Sequence, residues 1–307
     1  MTPDHASTSR KALVTGGAGF IGSHLADRLV EDCAVTVYDN LSSGSREHVP
    51  NDAKLVEADI RNQERLTEAV DDADIVFHEA AQVSVAQSVE DPEASHKINI
   101  DPVLTILEAA RETDTRVVLA SSAAIYGHPE YTPIDETHPK EPASPYGLEK
   151  LTADHYCRLY HDLYGVDTVA LRYFNAYGPR QQGGDYSGVI SIFRDQARAN
   201  DPITVEGDGT QTRDFVHVDD LVQANLLAAQ TDATGEAFNI GTGTTITIQG
   251  LADTIRDVTD AESEIVHVDP REGDIDHSPA EIAKARDILG FELEYSIVDG
   301  LEAYLGT

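Results

Sequence analysis

The feature that most restricts this chain is a short apolar strand that runs straight into closely spaced glycines and then into a helix. Residues 11 to 15, KALVT, have the composition of a buried strand, and in the following TGGAGFIGSHLADRLV the residues Ile21, Leu25 and Leu29 recur at helical spacing. Gly16, Gly19 and Gly22 lie in between. Glycines alone also serve ordinary tight turns. Between a strand and a helix they leave backbone N–H groups and the positive helix end open to a pyrophosphate, with no side chains in the way. The next strand, AVTVYDN, ends in Asp39, at the distance where a carboxylate accepts the two hydroxyls of an adenosine ribose. A plain strand-end cap is the competing role for that residue. The same charge would repel a 2'-phosphate, and the next basic residue is only Arg46, so the pattern favours NAD over NADP.

The alternation continues through KLVEADI (54 to 60), a helix through Leu66 and Val70, DIVFHEAA (74 to 81), a helix from about Ile100 to Arg111, and RVVLASSAAIYG. Strands alternating with helices at this spacing predict an α/β fold with a doubly wound parallel (Rossmann) sheet, its ligand at the strand C-terminal ends. Those ends carry Asp59 and Ile60, His78 to Gln82, and Ser121 with Ser122. Asn99 precedes the fourth helix and is placed either to cap it or to touch the cofactor. After VDTVALRYF (166 to 174) the clean alternation stops, and loops such as GPRQQGGDYSG mark a smaller C-terminal substrate-binding domain. The expected division is 1–172, with later strands returning near 214–240, and 173–307.

In SPYGLEKLTADHYCRLYHDLYG, Ser144 suits an N-cap and Pro145 the first helical position, which puts Tyr146 and Lys150 four apart on one face. A phenol serves as a base near neutrality only if its anion is stabilised, and an ammonium together with a helix N-terminus does that. Such a pair usually means an aromatic packed beside a solvated amine. With the glycine triplet and a serine at an upstream strand end, catalysis is the better reading.

The chain has 55 Asp and Glu against 22 Lys and Arg, a formal net charge of −33. A phosphate backbone wants a basic face, so nucleic acid is excluded as a partner. Only six of the basic residues are Lys and sixteen are Arg, a composition that resembles cytoplasmic proteins of salt-accumulating halophiles. Two cysteines outside any CxxC pair fit a reducing compartment. No apolar run is long enough for a membrane span, and the start MTPDHASTSRK lacks the apolar core of a signal peptide, so a cytoplasmic location is expected. Cys157 and His161 are four apart, but with no third ligand evident no metal is assigned.

TGGAGFIG, YDN, ADI, HEAAQ, SSAAIYG, the Tyr146–Lys150 pair, LRYFNAYGPR and GDGTQTRDFVHV together resemble the extended short-chain dehydrogenase/reductase superfamily, and within it the UDP-glucose 4-epimerase-like members of the NAD-dependent epimerase/dehydratase family. The resemblance runs over residues 11 to 295. It implies a tightly held NAD contacted by Gly16, Gly19, Phe20, Ile21, Gly22, Asp39, Asn40, Asp59, Ile60, Ala80, Ala81, Asn99, Ser122, Tyr146, Lys150 and Phe174. Ser122 would bond the sugar 4-hydroxyl, Tyr146 would take its proton, and Lys150 would bind the nicotinamide ribose while lowering the tyrosine pKa. For a nucleotide-sugar substrate it implies Ser84, Asn175 on the diphosphate, Val189 and Val205 along the nucleotide, Arg213 and Arg271 gripping phosphate, and Asp274 on the ribose. Guanidinium suits phosphate because it pairs bidentately, while ion pairs with the adjacent Asp214 or Glu272 are the plainer use of these arginines. A homodimer through the helices near 100 to 111 and 146 to 163 is likewise implied.

Several positions depart from or specialise the pattern. Glu206 stands where relatives carry a stacking Tyr or Phe, and Ser191 where many have Pro. Dehydratases and decarboxylases of this family carry acids after the catalytic Ser/Thr, where this chain has Ala123 and Ala124. Elimination needs a placed acid, so epimerisation is preferred to either. A non-catalytic NAD sensor on the same scaffold would have lost Tyr146 or Lys150, and both are present. Ser278 matches the position beside the sugar 2-substituent, where a small residue leaves room for an N-acetyl group. As a serine before Pro279 it also suits a helix N-cap.

Overall fold

The computed structural model describes residues 10–181, 188–270 and 275–306. The first half alternates as the sequence predicts: β1 (Lys11–Thr15), α1 (Phe20–Leu29), β2 (Ala34–Asp39), β3 (Lys54–Glu57), α2 (Gln63–Asp71), β4 (Ile75–His78), α3 (Val85–Glu90), α4 (Pro92–Asn99), α5 (Asp101–Thr113), β5 (Arg116–Ser122), α6 (Pro145–Tyr164) and β6 (Thr168–Tyr173). The short α3 and α4 went unmarked in the sequence. Six and eight residues make too few turns to show a period, although Ser84 and Asp91 cap them by accepting from Gln87 N and Ala94 N.

Eight strands then follow, interleaved with four helices: β7 (Asn175–Tyr177), α7 (Val189–Ala199), β8 (Ile203–Glu206), β9 (Thr212–Arg213), β10 (Phe215–His217), α8 (Val218–Ala228), β11 (Glu236–Ile240), β12 (Ile246–Thr247), α9 (Ile248–Val258), β13 (Ile265–Val268), β14 (His277–Ser278) and α10 (Ile297–Leu305). The main sheet has the order β11-β6-β5-β4-β1-β2-β3, parallel at every pairing. Adjacent residues feed opposite faces. Leu13 and Val117 join a core with Leu66, Ile106 and Cys157, whereas Val14 and Val118 join one with Leu25, Leu221 and Phe238. The order reverses between β1 and β4, and a parallel sheet opens a ligand crevice at such a switch point. A third core, built on Phe193, Val205, Leu251 and Leu301, belongs to the short β8–β13 pair and its helices.

Candidate active site

The glycine loop is tied down from both ends. Gly16 has φ +68°, its N–H donates to Tyr38 O at 2.9 Å, and a Cβ there would stand 2.8 Å from the Ala80 backbone. At Gly22 a Cβ would fall 2.4 Å from Gly16 O, so glycine lets α1 press on the loop. A Cβ at Gly19 would meet only Gly16 O, at 3.1 Å. Open space thus faces the start of α1, which has no side-chain cap and no acid in its first turn. Phe20 and Ile21 form that turn. A dinucleotide pyrophosphate fits this cradle: N–H groups point at it and no anion competes.

The Asp39 carboxylate accepts from Ala18 N at 3.0 Å and Leu41 N at 2.7 Å, so it does serve as a cap and fastens the loop to β2. Each oxygen keeps a lone pair for a ribose hydroxyl. Asn40 is exposed beside it, and its amide lies 3.5 Å from Asp59. Arg61 grips Asp59 at 2.8 and 2.7 Å and holds that carboxyl well below the usual range. Ile60 is buried next door.

Asn99 corrects one expectation. It ends α4, and α5 has no side-chain cap, so it caps nothing. Its Oδ1 accepts from Gln82 N at 2.9 Å while its amide donates to Gln82 O at 3.1 Å and to Glu149 at 2.7 Å. Ser95 donates to the same Glu149 oxygen at 2.7 Å. This buried cluster shapes the loop after β4, where Ala80 and Ala81 are half-buried. Glu149 and Ser95 were not singled out in the sequence, although Glu149 sits inside YGLEK.

Helix α6 begins as its sequence dictates. Ser144 Oγ accepts from Gly147 N at 3.1 Å, Pro145 follows, and Ser88 Oγ accepts from Tyr146 N at 3.1 Å. A Cβ on Gly147 would lie 2.6 Å from Ala124 O, so this glycine lets α6 approach the turn after β5. That approach sets Tyr146 beside Ser122, whose hydroxyl accepts from Ala124 N at 3.1 Å and favours the ionised form of the phenol. Lys150 donates to Ala120 O at 2.7 Å, with its ammonium 6.0 Å from the Tyr146 ring centre. Burial pulls the lysine down to about 8 and pushes the phenol up. Ser122 opposes the effect of burial on the phenol, while the Lys150 ammonium is tethered to the strand at Ala120 O. His78, held to Thr15 Oγ1 at 2.8 Å, is kept neutral by burial, its pKa lowered to about 3. Phe174 is buried at the end of β6.

Across the crevice, β14 pairs with β9 so that Ser278 stands opposite Arg213. Arg213 donates to Thr212 O and Ile275 O. Its neighbour Asp214 is no surface ion partner. Fully buried, that carboxylate accepts from Thr242 N and Gly243 N at 2.8 and 2.9 Å and from Ala280 N at 3.1 Å. Asn175 donates to Asp214 O at 2.8 Å. Ser278 is in a strand, and the helical turn beyond it is the π-helical Ala285–Leu289, so the N-cap reading is overturned. Val205 is wholly buried in the third core, behind the groove edged by Glu206, Gln211 and His277, and lines nothing open. Val189 starts α7 and is half-buried, and Ser191 is buried. Ser84 spends its hydroxyl on capping α3. Arg271 and Asp274 lie outside the described residues. Cys157 is packed in the core and His161 bonds Val166 O at 3.1 Å, so the pair serves packing.

The profile of the NAD dependent epimerase/dehydratase family matches residues 12–241. The chain belongs to that family. Among its epimerase-family relatives, the UDP-glucose 4-epimerase of Mycolicibacterium smegmatis is 36% identical over 95% of this chain and 96% of its own. The crystal structure of UDP-glucose 4-epimerase from Thermotoga maritima with UDP-glucose superimposes with a TM-score of 0.93 at 38% identity, covering 96% of this chain and 97% of that one. UDP-N-acetylglucosamine 4-epimerase from Methanobrevibacter ruminantium, in complex with UDP-N-acetylmuramic acid, gives 0.92 at 36%, covering 97% and 96%.

Proposed function

We propose that this epimerase-family chain interconverts the C4 epimers of a nucleotide sugar, UDP-glucose and UDP-galactose in the first place, with room for UDP-N-acetylglucosamine. The observation that carries this reading is the meeting of Ser122 and Tyr146 beside Lys150 at the strand ends, with alanines at 123 and 124. Bound NAD would supply a two-electron acceptor for the hydride at C4, with no net consumption. The glycine loop, α1 and Asp39 hold it, and Asn40, Asp59, Ile60, Ala80, Ala81, Asn99 and Phe174 border it.

Ser122 orients the sugar 4-hydroxyl and Tyr146 takes its proton as the C4–H bond breaks, then gives the proton back when the bond re-forms. Lys150 holds positive charge nearby, which favours the phenolate and fixes the cofactor ribose. Arg213, Arg271 and Asn175 hold the diphosphate, and Asp274 the nucleotide ribose. Ser278 leaves space at the sugar 2-position. Residues 1–172, with the return near 214–240, act as the cofactor domain, and 173–307 as the sugar-nucleotide domain. The joining of β11 to β6 in the main sheet supports that division.

A homodimer is part of the proposal. It is supported by exposed Leu148, Leu159, Leu163 and Tyr164 along α6. The surplus of 33 negative charges and the shortage of lysine support a protein adapted to molar salt. Both cysteines are unpaired, and among the described residues no helix is long and apolar enough to cross a membrane, which supports a reducing, cytoplasmic setting.

The test is NMR of products after incubation in high salt with UDP-glucose, UDP-galactose and their N-acetyl and uronate counterparts. The expected product is the C4 epimer alone, with no NAD added. A dehydrated or decarboxylated sugar, or a need for stoichiometric external reductant, overturns the reading.

A further inference from the structure

Behind the catalytic pair lies a polar group that the scheme above does not use. Glu79 follows β4, with its N–H on Thr15 O at 3.2 Å. Two strands away, Tyr173 ends β6 in register with Ser122 of β5. The Tyr173 hydroxyl reaches across to Glu79 Oε1 at 2.8 Å, and Asn225 of α8 donates to that hydroxyl at 2.6 Å and to Leu221 O at 2.9 Å. Three elements thus fix one half-buried carboxyl at the floor of the crevice.

Lys150 is buried there too, with one hydrogen bond to a neutral carbonyl. A buried ammonium needs a counter-charge, or it gives up its proton. His78 pairs with Leu119, so Glu79 comes next to Ala120, whose carbonyl holds the ammonium, and Glu149 of its own helix, neutral His78 and the Tyr146 ring are the other groups around it. Glu149 is already committed to Ser95 and Asn99. We propose that Glu79 is a positioning residue whose carboxylate, fixed by Tyr173 and Asn225, is the counter-charge to the Lys150 ammonium.

Burial pushes Glu79 up to about 7 against the pull of Tyr173 and Lys150, and burial lowers Lys150 to about 8 against the pull of Glu79 and Glu149. Each charge therefore favours the other: ionised Glu79 holds the Lys150 ammonium to higher pH, and the ammonium holds Glu79 ionised to lower pH. An apolar or amide side chain at 79 would fill the same space and leave Lys150 uncharged at lower pH.

The inference rests on the epimerase reading for its importance to turnover, but its test does not. With only six lysines, ¹³Cε-lysine labelling gives a resolvable spectrum in which Lys150 is assigned by its loss in Lys150→Met. The sugar-free protein, as purified in high salt, is titrated with and without Glu79→Gln. The expected result is a Lys150 midpoint moved to lower pH, a roughly tenfold change in its ionisation constant, and an alkaline limb of kcat that moves with it while KM holds. Tyr173→Phe, which keeps the charge but removes its hydrogen bond, moves the midpoint the same way by less, and carries the test alone if Glu79→Gln does not fold. An unmoved Lys150 midpoint in a folded variant overturns the proposal. A moved midpoint in a chain that epimerises no nucleotide sugar keeps the counter-charge and overturns only the activity.

Discussion

On the cofactor side of the crevice nearly every candidate residue stands at or just past the end of a strand in one seven-stranded sheet, whereas on the sugar side Arg213 and Ser278 ride on strands of two residues. The first arrangement inherits its positions from a packed sheet with cores on both faces. The second depends on single cross-links such as Asp214, which ties β10's leading edge to the turn at Thr242 and Gly243 and to Ala280. Substitutions should therefore separate into losses of chemistry on one side and losses of selectivity on the other.

The largest effect belongs to Tyr146→Phe. It keeps the ring and removes the proton acceptor, so kcat should fall by roughly 10²- to 10⁴-fold with little change in thermal midpoint. Wild-type turnover in that variant would end the proposed mechanism. Arg213→Met, across the crevice, should raise KM by roughly 30-fold or more, the scale of a lost charge-assisted contact of about 2 kcal/mol, while kcat holds. If kcat and KM change together, the two sides are not independent.

Ser278→Tyr comes next. With no helix for Ser278 to cap, its small size is left as its contribution, and a phenol there should exclude the acetamido group by volume. Activity on UDP-N-acetylglucosamine should vanish while that on UDP-glucose stays within a few-fold, as product NMR would record. Equal activity on both sugars would remove Ser278 from the pocket. The smallest effect is spread over the whole surface. Raising KCl from dilute buffer to about 2 M, where the Debye length is under roughly 3 Å, should raise the unfolding midpoint by screening the surplus of acids. A midpoint that stays level sinks the halophilic reading.

How far each side could be read from sequence follows the same division. Strand, turn and helix are contiguous in the first half, so Gly16, Asp39, Tyr146 and Lys150 declare themselves through local spacing. The bonds that hold them in place do not. Asn99 finds Glu149 fifty residues on, and Tyr173 finds Glu79 ninety-four residues back, which only packing decides. Serine before proline at 278 has the local chemistry of a helix start, yet pairing with β9 claims the segment as a strand. Two-residue strands carry no period to detect.

One consequence of the strand order concerns the birth of the chain. Strand β6 is flanked by β5 and β11, but β11 is made more than sixty residues after it. While the intervening segment is being synthesised, β6 offers a bare row of N–H and C=O groups already attached to a nearly finished catalytic crevice. An open edge of that kind is a template for a neighbouring chain on the same messenger. The arrival of Glu236–Ile240 closes it, so a substitution that weakens this pairing, far from any reacting atom, should lower the yield of folded protein through aggregation.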